Sequence, residues 1–317
     1  MDPLERKRVG ATDLRVTRMG LGGGPLGDAY GAITDSEASA TVEKALGLGI
    51  RYIDTAPLYG RGRSESRLGR YFASHGKPAD LVLSTKVGRI LRPEPGDLEP
   101  LFDYTRQGVL RSFESSLQRL GLKAVDILYI HDPDDHYEEA ISQAYEALAE
   151  LRQTGRVKAI GAGMNQWEME LRFAQEGDFD CFLQAGKYTL IDQSAGEKFL
   201  PYCQEKGIGV VAGAPFSYGV LAADIRHGAR PSSSFVAPEL VEKAVKIDAV
   251  CARHDVPLRA AALQFILAHP AIVSVIPGAR TQEEMQENFG LIKHDIPSKL
   301  WDDLKKEGLI PEKSFTP

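Results

Sequence analysis

Four side chains in the first half of the chain have the types and spacing for acid–base work on one reacting oxygen: Asp54, Tyr59, Lys86 and His131. A free phenol, with a reference pKa of ~10, is a weak acid–base group at neutral pH. An ammonium beside it stabilises the phenolate and lowers that pKa. A carboxylate holding the ammonium keeps it charged and aimed. Asp54, Lys86 and Tyr59 supply that series, and His131 supplies a ring to orient the reacting oxygen. Each also has a plainer reading. A Lys closing a strand is ordinarily a solvated end, an Asp before Thr is commonly a cap, and a His after an apolar run is usually a satisfied core residue. The chemistry rests on the set, not on any one member.

The set requires elements that bring distant residues to one place. Eight short apolar or β-branched runs read as strands: Met19–Gly22, Tyr52–Asp54, Leu81–Lys86, Ile127–His131, Ala159–Met164, Cys181–Gln184, Gly209–Ala212 and Val273–Pro277. Segments of helical period lie between them. Thr34-Asp35-Ser36-Glu37 reads as a capping box opening a helix with Ala38, Val42, Ala45 and Leu46 on one face. Val109, Phe113, Leu117 and Leu120 make a second stripe, closed by Gly121. Ile141, Ala144, Tyr145, Leu148 and Leu151 make a third, closed by Gly155. Two further helices, Ala237–Ala252 and Arg259–His269, divide around Pro257. Strands alternating with helices eight times predict a (β/α)8 barrel occupying the whole chain, 1–317, as a single domain. An open doubly wound sheet is the other candidate, but no GxGxxG follows the first strand. In a barrel the polar groups at strand C-termini share one mouth, which places Asp54, Lys86 and His131 together, with Tyr59 in the loop beyond Asp54. Ala222–Pro238, containing Arg230-Pro231-Ser232-Ser233-Ser234, reads as a mobile loop or lid.

The stretch Gly49-Ile50-Arg51-Tyr52-Ile53-Asp54-Thr55-Ala56-Pro57-Leu58-Tyr59-Gly60 resembles the signature of the aldo-keto reductases. The likeness continues through Ser64-Glu65, Leu68-Gly69, Ser84-Thr85-Lys86, Leu120-Gly121, Asp126-Ile127, His131, Ile276-Pro277-Gly278-Ala279-Arg280-Thr281 and Glu287-Asn288, over roughly residues 5–295. The family's catalytic tetrad then falls on Asp54, Tyr59, Lys86 and His131. Three segments carry a narrower likeness to the NAD-linked sugar dehydrogenases, of the aldose 1-dehydrogenase type: His131-Asp132-Pro133-Asp134-Asp135-His136, Gly163-Met164-Asn165-Gln166-Trp167-Glu168 and Tyr188-Thr189-Leu190-Ile191-Asp192-Gln193-Ser194.

The resemblance implies a nicotinamide dinucleotide lying extended across the barrel mouth. By position, Asn165 and Gln184 match the groups that bond the carboxamide, and Gly22 and Gly23 match the first-strand turn, where absent side chains let the ring approach. Pro215, Phe216, Ser217, Gly219 and Leu221 match the pyrophosphate cover. Gly278, Arg280, Thr281, Glu284 and Asn288 match the adenosine end, where the last helix begins. Many NADPH-using members carry basic residues at the positions of Gly278 and Glu284. A carboxylate at Glu284 repels a 2′-phosphate and accepts from a free ribose hydroxyl, so NAD is expected over NADP, with Arg280 leaving NADP open. Gly213 stands where some members stack an aromatic ring on the nicotinamide.

A net charge of −6, from 44 acidic and 38 basic residues, provides no basic footprint for nucleic acid. No window approaches the ~18 apolar residues needed to span a bilayer. The charged start Met1-Asp2-Pro3-Leu4-Glu5-Arg6-Lys7-Arg8 does not read as a secretory leader. Three cysteines without a CxxC fit a reducing cytoplasm. Asp132, Asp134, Asp135 and His136 resemble a cluster of metal ligands, but beside the tetrad His they read better as partners of sugar hydroxyls, and no metal is expected. Tyr30, Asp132 and Trp167 are the expected substrate contacts, the two rings as platforms for sugar C–H faces. For Trp167, packing at a helix start is the plainer role. The expected reaction is oxidation of an aldose C1 hydroxyl to the lactone. The alternatives are NADPH-dependent reduction of aldehydes or ketones, a pyridoxal 4-dehydrogenase-like activity, and a redox-sensing regulator, against which the intact tetrad argues.

Overall fold

The computed structural model describes residues 1–90, 101–224 and 236–317. Eight parallel strands carry the fold: β3 (Leu21–Gly22), β4 (Tyr52–Asp54), β5 (Val82–Val87), β8 (Ile127–His131), β9 (Ala159–Met164), β10 (Cys181–Ala185), β11 (Gly209–Gly213) and β12 (Ile272–Val275). Each pairs with the next, in the order β3-β4-β5-β8-β9-β10-β11-β12. Bridges Met19↔Val275 and Gly22↔Gly278 join the two ends, so the sheet closes on itself as a barrel. The predicted strands are all present, with shifted ends. The first run is a strand only at Leu21–Gly22, Met19 contributing a single bridge, and the last ends at Val275.

The helices follow from their buried stripes. Helix α1 (Asp35–Gly47) starts at the capping box: the Glu37 N–H donates to Thr34 Oγ1 at 3.1 Å and the Thr34 N–H to Glu37 Oε2 at 2.6 Å. Next come α2 (Arg63–His75) and α3 (Arg106–Leu120). Helix α3 ends at Gly121, whose φ of +65° is the left-handed geometry that favours glycine. A helical run from Tyr137 to Gln153 follows, α4 (Tyr137–Glu139) and α5 (Tyr145–Gln153) flanking a π-helical turn. Then come α6 (Trp167–Glu176), α7 (Phe199–Lys206), α8 (Pro238–Arg253), α9 (Leu258–Ala268) and α10 (Gln282–Lys293). A further helix, α11 (Ser298–Lys306), lies beyond α10, so the helix entered at Thr281 is not the last.

Two apolar layers result. One fills the space between strands and helices. The other fills the barrel and includes Tyr52, Val82, Ile127, Tyr129, Ala159 and Val211. The second layer also contains Val9, Leu14 and Val16, because a hairpin of β1 (Arg6–Arg8) and β2 (Arg15–Thr17) packs against the barrel interior. Its three-residue strands are too short for an alternation signal, and the sequence reading missed them. A second hairpin, β6 (Arg89–Ile90) with β7 (Leu101–Phe102), stands beyond β5. The predicted mobile loop falls mainly on 225–235, outside the described residues. No described helix is long and apolar enough to cross a membrane.

Candidate active site

Side chains alternate along a strand, so residues two apart share a face. The register pairs Asp54 with Ser84, and Lys86 with Tyr129. Asp54, Lys86 and His131 therefore point inward at neighbouring strand ends. Lys86 Nζ donates to Asp54 Oδ2 at 2.6 Å, to the Thr55 carbonyl at 2.9 Å and to Tyr59 Oη at 3.2 Å. The ammonium and the carboxylate are each only 1% exposed. The Tyr59 and His131 rings meet edge to face, centroids 6.1 Å apart. All four predicted tetrad residues line one cleft of about 680 Å³.

The electrostatics depart from the sequence expectation at one point. Burial works against the Lys86 charge, but Asp54 and Tyr59 outweigh it and hold the ammonium above its ordinary range. Burial pushes Asp54 upward against the pull of Lys86 and Ser84. Lys86 also pulls the Tyr59 phenol down, as expected. Burial, with help from the Asp54 charge, is stronger, and the net value is pushed up to about 12. The resting phenol is therefore a proton donor. Burial, with Lys86 and Arg89 nearby, drives His131 well below its ordinary value, so its ring is neutral.

Beside the tetrad, Asp132 adopts a left-handed backbone, φ +44°, and its carboxylate pairs with Arg89, 3.5 Å from His131 Nε2. Tyr104 Oη lies 2.7 Å from both the His131 and Asp132 carbonyls and braces that turn. Tyr30, 67% exposed, stands at the rim. Asp132 and Tyr30 thus line the cleft as predicted, and Trp167 does not. Trp167 is the first residue of α6 and packs against the outer apolar layer. The suspected metal cluster is dispersed: Asp132 is engaged by Arg89, and the His136 ring stacks on Phe102. Among the described residues, no three His, Cys, Asp or Glu side chains are grouped to hold a metal ion.

The predicted dinucleotide residues divide into two groups. Gly22, Asn165, Pro215, Phe216, Gly219, Gly278, Arg280, Glu284 and Asn288 line the cleft. Gly23, Gln184, Ser217, Leu221 and Thr281 do not, and each has another task. A Cβ at Gly23 would lie 2.5 Å from the Asp54 carbonyl oxygen, so that glycine serves chain packing rather than ring access. Gln184 falls on the outward face of β10, between Leu183 and Ala185, which line the cleft. It donates to the Asn165 carbonyl at 3.0 Å and accepts from the Lys187 N–H at 2.9 Å. It therefore bonds the Asn165 backbone from behind the cleft wall. Ser217 donates to Thr189 Oγ1 at 3.0 Å, Leu221 is fully buried core, and Thr281 caps α10 by accepting from the Glu284 N–H at 3.2 Å.

Arg259, which the sequence does not single out, also lines the cleft. So do Tyr218, inside the loop from Pro215 to Leu221 matched to the pyrophosphate cover, and Glu287, beside Asn288 in the family likeness, neither of which was given a role of its own. Tyr218 has φ +54° and its hydroxyl meets Asn165 Nδ2, which also donates to the Ala185 carbonyl at 2.8 Å. Tyr218 thus brings an aromatic ring to the cleft that Gly213 cannot supply. Arg259 pairs with Glu287 beside the Arg280–Glu284 pair. No local pattern aims these three side chains at one cleft, because the fold brings them in from separate loops and helices.

The cleft has the features a dinucleotide needs. Asn288 Oδ1 is buried without a partner among the described residues, while its Nδ2 donates to the Gly278 carbonyl at 3.3 Å. That leaves one acceptor open at the α10 end of the cleft. Asn165 and the left-handed residues Ala214 and Tyr218 stand at the other end.

Comparisons with known proteins agree with this geometry. The model of the Aldo/keto reductase family matches residues 18–307. The chain is 39% identical to a D-threo-aldose 1-dehydrogenase from Pseudomonas sp, over 95% of this chain and 97% of that one. It is 37% identical to a pyridoxal 4-dehydrogenase from Microbacterium luteolum, over 96% of this chain and 98% of that one. The solved holo form of an aldo-keto reductase from Bacillus halodurans superposes with a TM-score of 0.78 at 25% identity, covering 96% of each chain.

Proposed function

The chain belongs to the aldo/keto reductase family, oxidoreductases that use a nicotinamide cofactor, and from that premise we propose that it oxidises the C1 hydroxyl of an aldose to the lactone with NAD. The observation that carries this reading is the Lys86 ammonium, held by Asp54 at 2.6 Å and by Tyr59 at 3.2 Å in a cleft shared with a neutral His131. A bound oxidised nicotinamide supplies the acceptor for the hydride that leaves the sugar C1. Tyr59, as phenolate, takes the proton from the C1 hydroxyl, and Lys86 stabilises that phenolate. His131 holds the reacting oxygen. In the reverse direction Tyr59 is the donor.

The polar rim favours a polyol. Asp132 accepts from sugar hydroxyls, and the Tyr30 and Tyr218 rings offer faces for C–H bonds. At the adenosine end, Glu284 takes Arg280 Nη2 at 2.7 Å and the Arg280 N–H at 2.8 Å, so the arginine charge is already answered. A side chain at Gly278 would meet the Pro25 ring at 2.7 Å. Both features favour a free ribose hydroxyl over a 2′-phosphate. Asn165 would hold the carboxamide and Asn288 the adenine. Three buried cysteines, none of them in a disulfide, suit a reducing cytoplasm.

The likeness to a pyridoxal 4-dehydrogenase favours a second reading. Pyridoxal closes to a cyclic hemiacetal, and its oxidation is the same hydride and proton chemistry. Absorbance of reduced cofactor with L-fucose, D-arabinose, L-galactose and pyridoxal, each with NAD and NADP, separates these readings. Sugar turnover with NAD is expected. Turnover of pyridoxal alone gives the second reading, and activity confined to NADPH with simple aldehydes or ketones overturns both.

A further inference from the structure

Below the tetrad, the barrel interior contains polar groups that the proton transfer described above does not use. Ser84 Oγ donates to Asp54 Oδ1 at 2.7 Å. Tyr52 Oη lies 3.1 Å from Ser84 Oγ and 3.4 Å from Tyr129 Oη, and Cys181 Sγ lies 3.6 Å from Tyr129 Oη. All four side chains are fully buried. Interiors of such barrels are ordinarily filled by branched apolar residues, and a buried hydroxyl is costly unless bonded. Space is also set aside for the two phenols. A Cβ at Gly20 would lie 2.8 Å from both the Tyr52 ring and Ile276 Cγ2, and one at Gly161, besides meeting the Cys181 carbonyl oxygen at 2.1 Å, would lie 2.8 Å from the Tyr129 ring.

Counting hydrogens fixes the direction of the series. Ser84 has one hydroxyl hydrogen, and the Asp54 carboxylate takes it. Tyr52 must then donate to Ser84. Its own hydrogen is spent, so Tyr129 must donate to Tyr52, and the Cys181 thiol donates to Tyr129. Burial holds Tyr52, Tyr129 and Cys181 well above their ordinary values, so each keeps its hydrogen. Every dipole points toward Asp54. The first link is short and charge-assisted, and the later ones lengthen.

We propose that Ser84, Tyr52 and Tyr129 are positioning residues for proton transfer, forming a one-way series of donors that ends on Asp54 and favours the state in which Asp54 and Tyr59 are both anions around Lys86. The inference rests on the reading of Tyr59 as the acid–base group. The physical reason is a difference between two states. While the donors are in place, the proton kept by the trio rests on Tyr59; with a donor removed, the buried Asp54 competes for it. When the trio has lost the proton, Asp54 must be an anion, and donors to it matter most. Removing a donor therefore raises the pH at which Tyr59 becomes a base.

The test compares Ser84→Ala, Tyr52→Phe and Tyr129→Phe with wild type and with Tyr59→Phe. The measurement is the pH profile of kcat for oxidation with the best sugar and NAD. Tyrosinate absorbance of the NAD-saturated enzyme, taken as wild type minus Tyr59→Phe, gives a substrate-free readout. Ser84→Ala should move the levelling-off of the profile upward by up to about one pH unit, the scale of one hydrogen bond to a charged group. Tyr52→Phe should move it less and Tyr129→Phe least, with sugar KM near wild type in all three. Tyr52→Phe keeps the ring, so it serves should Ser84→Ala not fold. Profiles that superimpose on wild type, while Tyr59→Phe is inactive, reduce the series to packing and overturn the proposal alone. Normal turnover by Tyr59→Phe overturns the acid–base reading and the proposal with it.

Discussion

At the tetrad end of the cleft, three of the four decisive groups sit on barrel strands, and the Lys86–Asp54 pair is 1% exposed on both sides. At the end proposed for the adenosine the charges belong to α9, α10 and the turn before α10, and the Arg280–Glu284 pair is 47% and 34% exposed. Both are ion pairs, but their physics differs. A buried pair depends on both partners, because removing one leaves the other desolvated and unanswered. An exposed pair is screened and contributes little to stability, so its partners can be exchanged. On the proposed reading, the chemistry is therefore fixed by strand register, and cofactor choice by side chains that can change without disturbing the barrel.

Tyr59→Phe gives the largest effect. It removes the proton acceptor and leaves the adenosine end untouched, so kcat should fall by about 10²–10⁴-fold. Dinucleotide affinity, followed by fluorescence titration, should stay near wild type. A matching loss of affinity would mean that the two ends are not separable. Lys86→Met tests the buried pair directly. It strands Asp54 and should lower stability by about 3–5 kcal/mol in urea unfolding, whereas Arg280→Ala should cost about 1 kcal/mol or less. Equal costs would remove the contrast.

The pH dependence tests the tetrad end without mutation. With Tyr59 pushed up to about 12, the phenolate fraction below that value grows with pH. Oxidation kcat/KM should rise about tenfold per pH unit from neutrality until bound ligands or the phenol's own titration level it. Reduction needs the phenol and should stay flat through the same range. His131 lies well below its ordinary value, so no limb from its protonation should occur near neutral pH. An oxidation rate independent of pH would show that Tyr59 is not the base.

The sequence carried the tetrad because strand ends, side-chain alternation and the motif around Asp54 agree on it. The same alternation also explains where one expected cofactor residue falls. Cys181, Leu183 and Ala185 share the inward face of β10, so Gln184 points the other way and bonds backbone behind the cleft. Alternation also places Tyr52 with Asp54, Ser84 with Lys86, and Tyr129 with His131, which is why the interior polar series is readable in retrospect. Tyr218, Arg259 and Glu287 had no such signal, because their place depends on how loops and helices fold over a distant mouth. The hairpin of β1 and β2 was missed for its brevity. The expectation about Tyr59 failed in sign because burial, a property of the whole fold, outweighed the lysine beside it.

The smallest expected effect is the most informative about the exposed end. Glu284→Arg replaces a carboxylate that holds Arg280 by its side chain and its N–H, and leaves two arginines where a 2′-phosphate would come. Preference should shift toward NADP by about tenfold in the ratio of kcat/KM values, equivalent to ~1.4 kcal/mol. Pro25 limits the gain, because it occupies the space beside Gly278 that a second basic side chain would need. The nearby Arg259–Glu287 pair offers a control. If Glu287→Gln alone produced the same shift, the selectivity would belong to the summed charge of that rim and not to Glu284. An unchanged ratio in both variants would place cofactor choice elsewhere along the cleft.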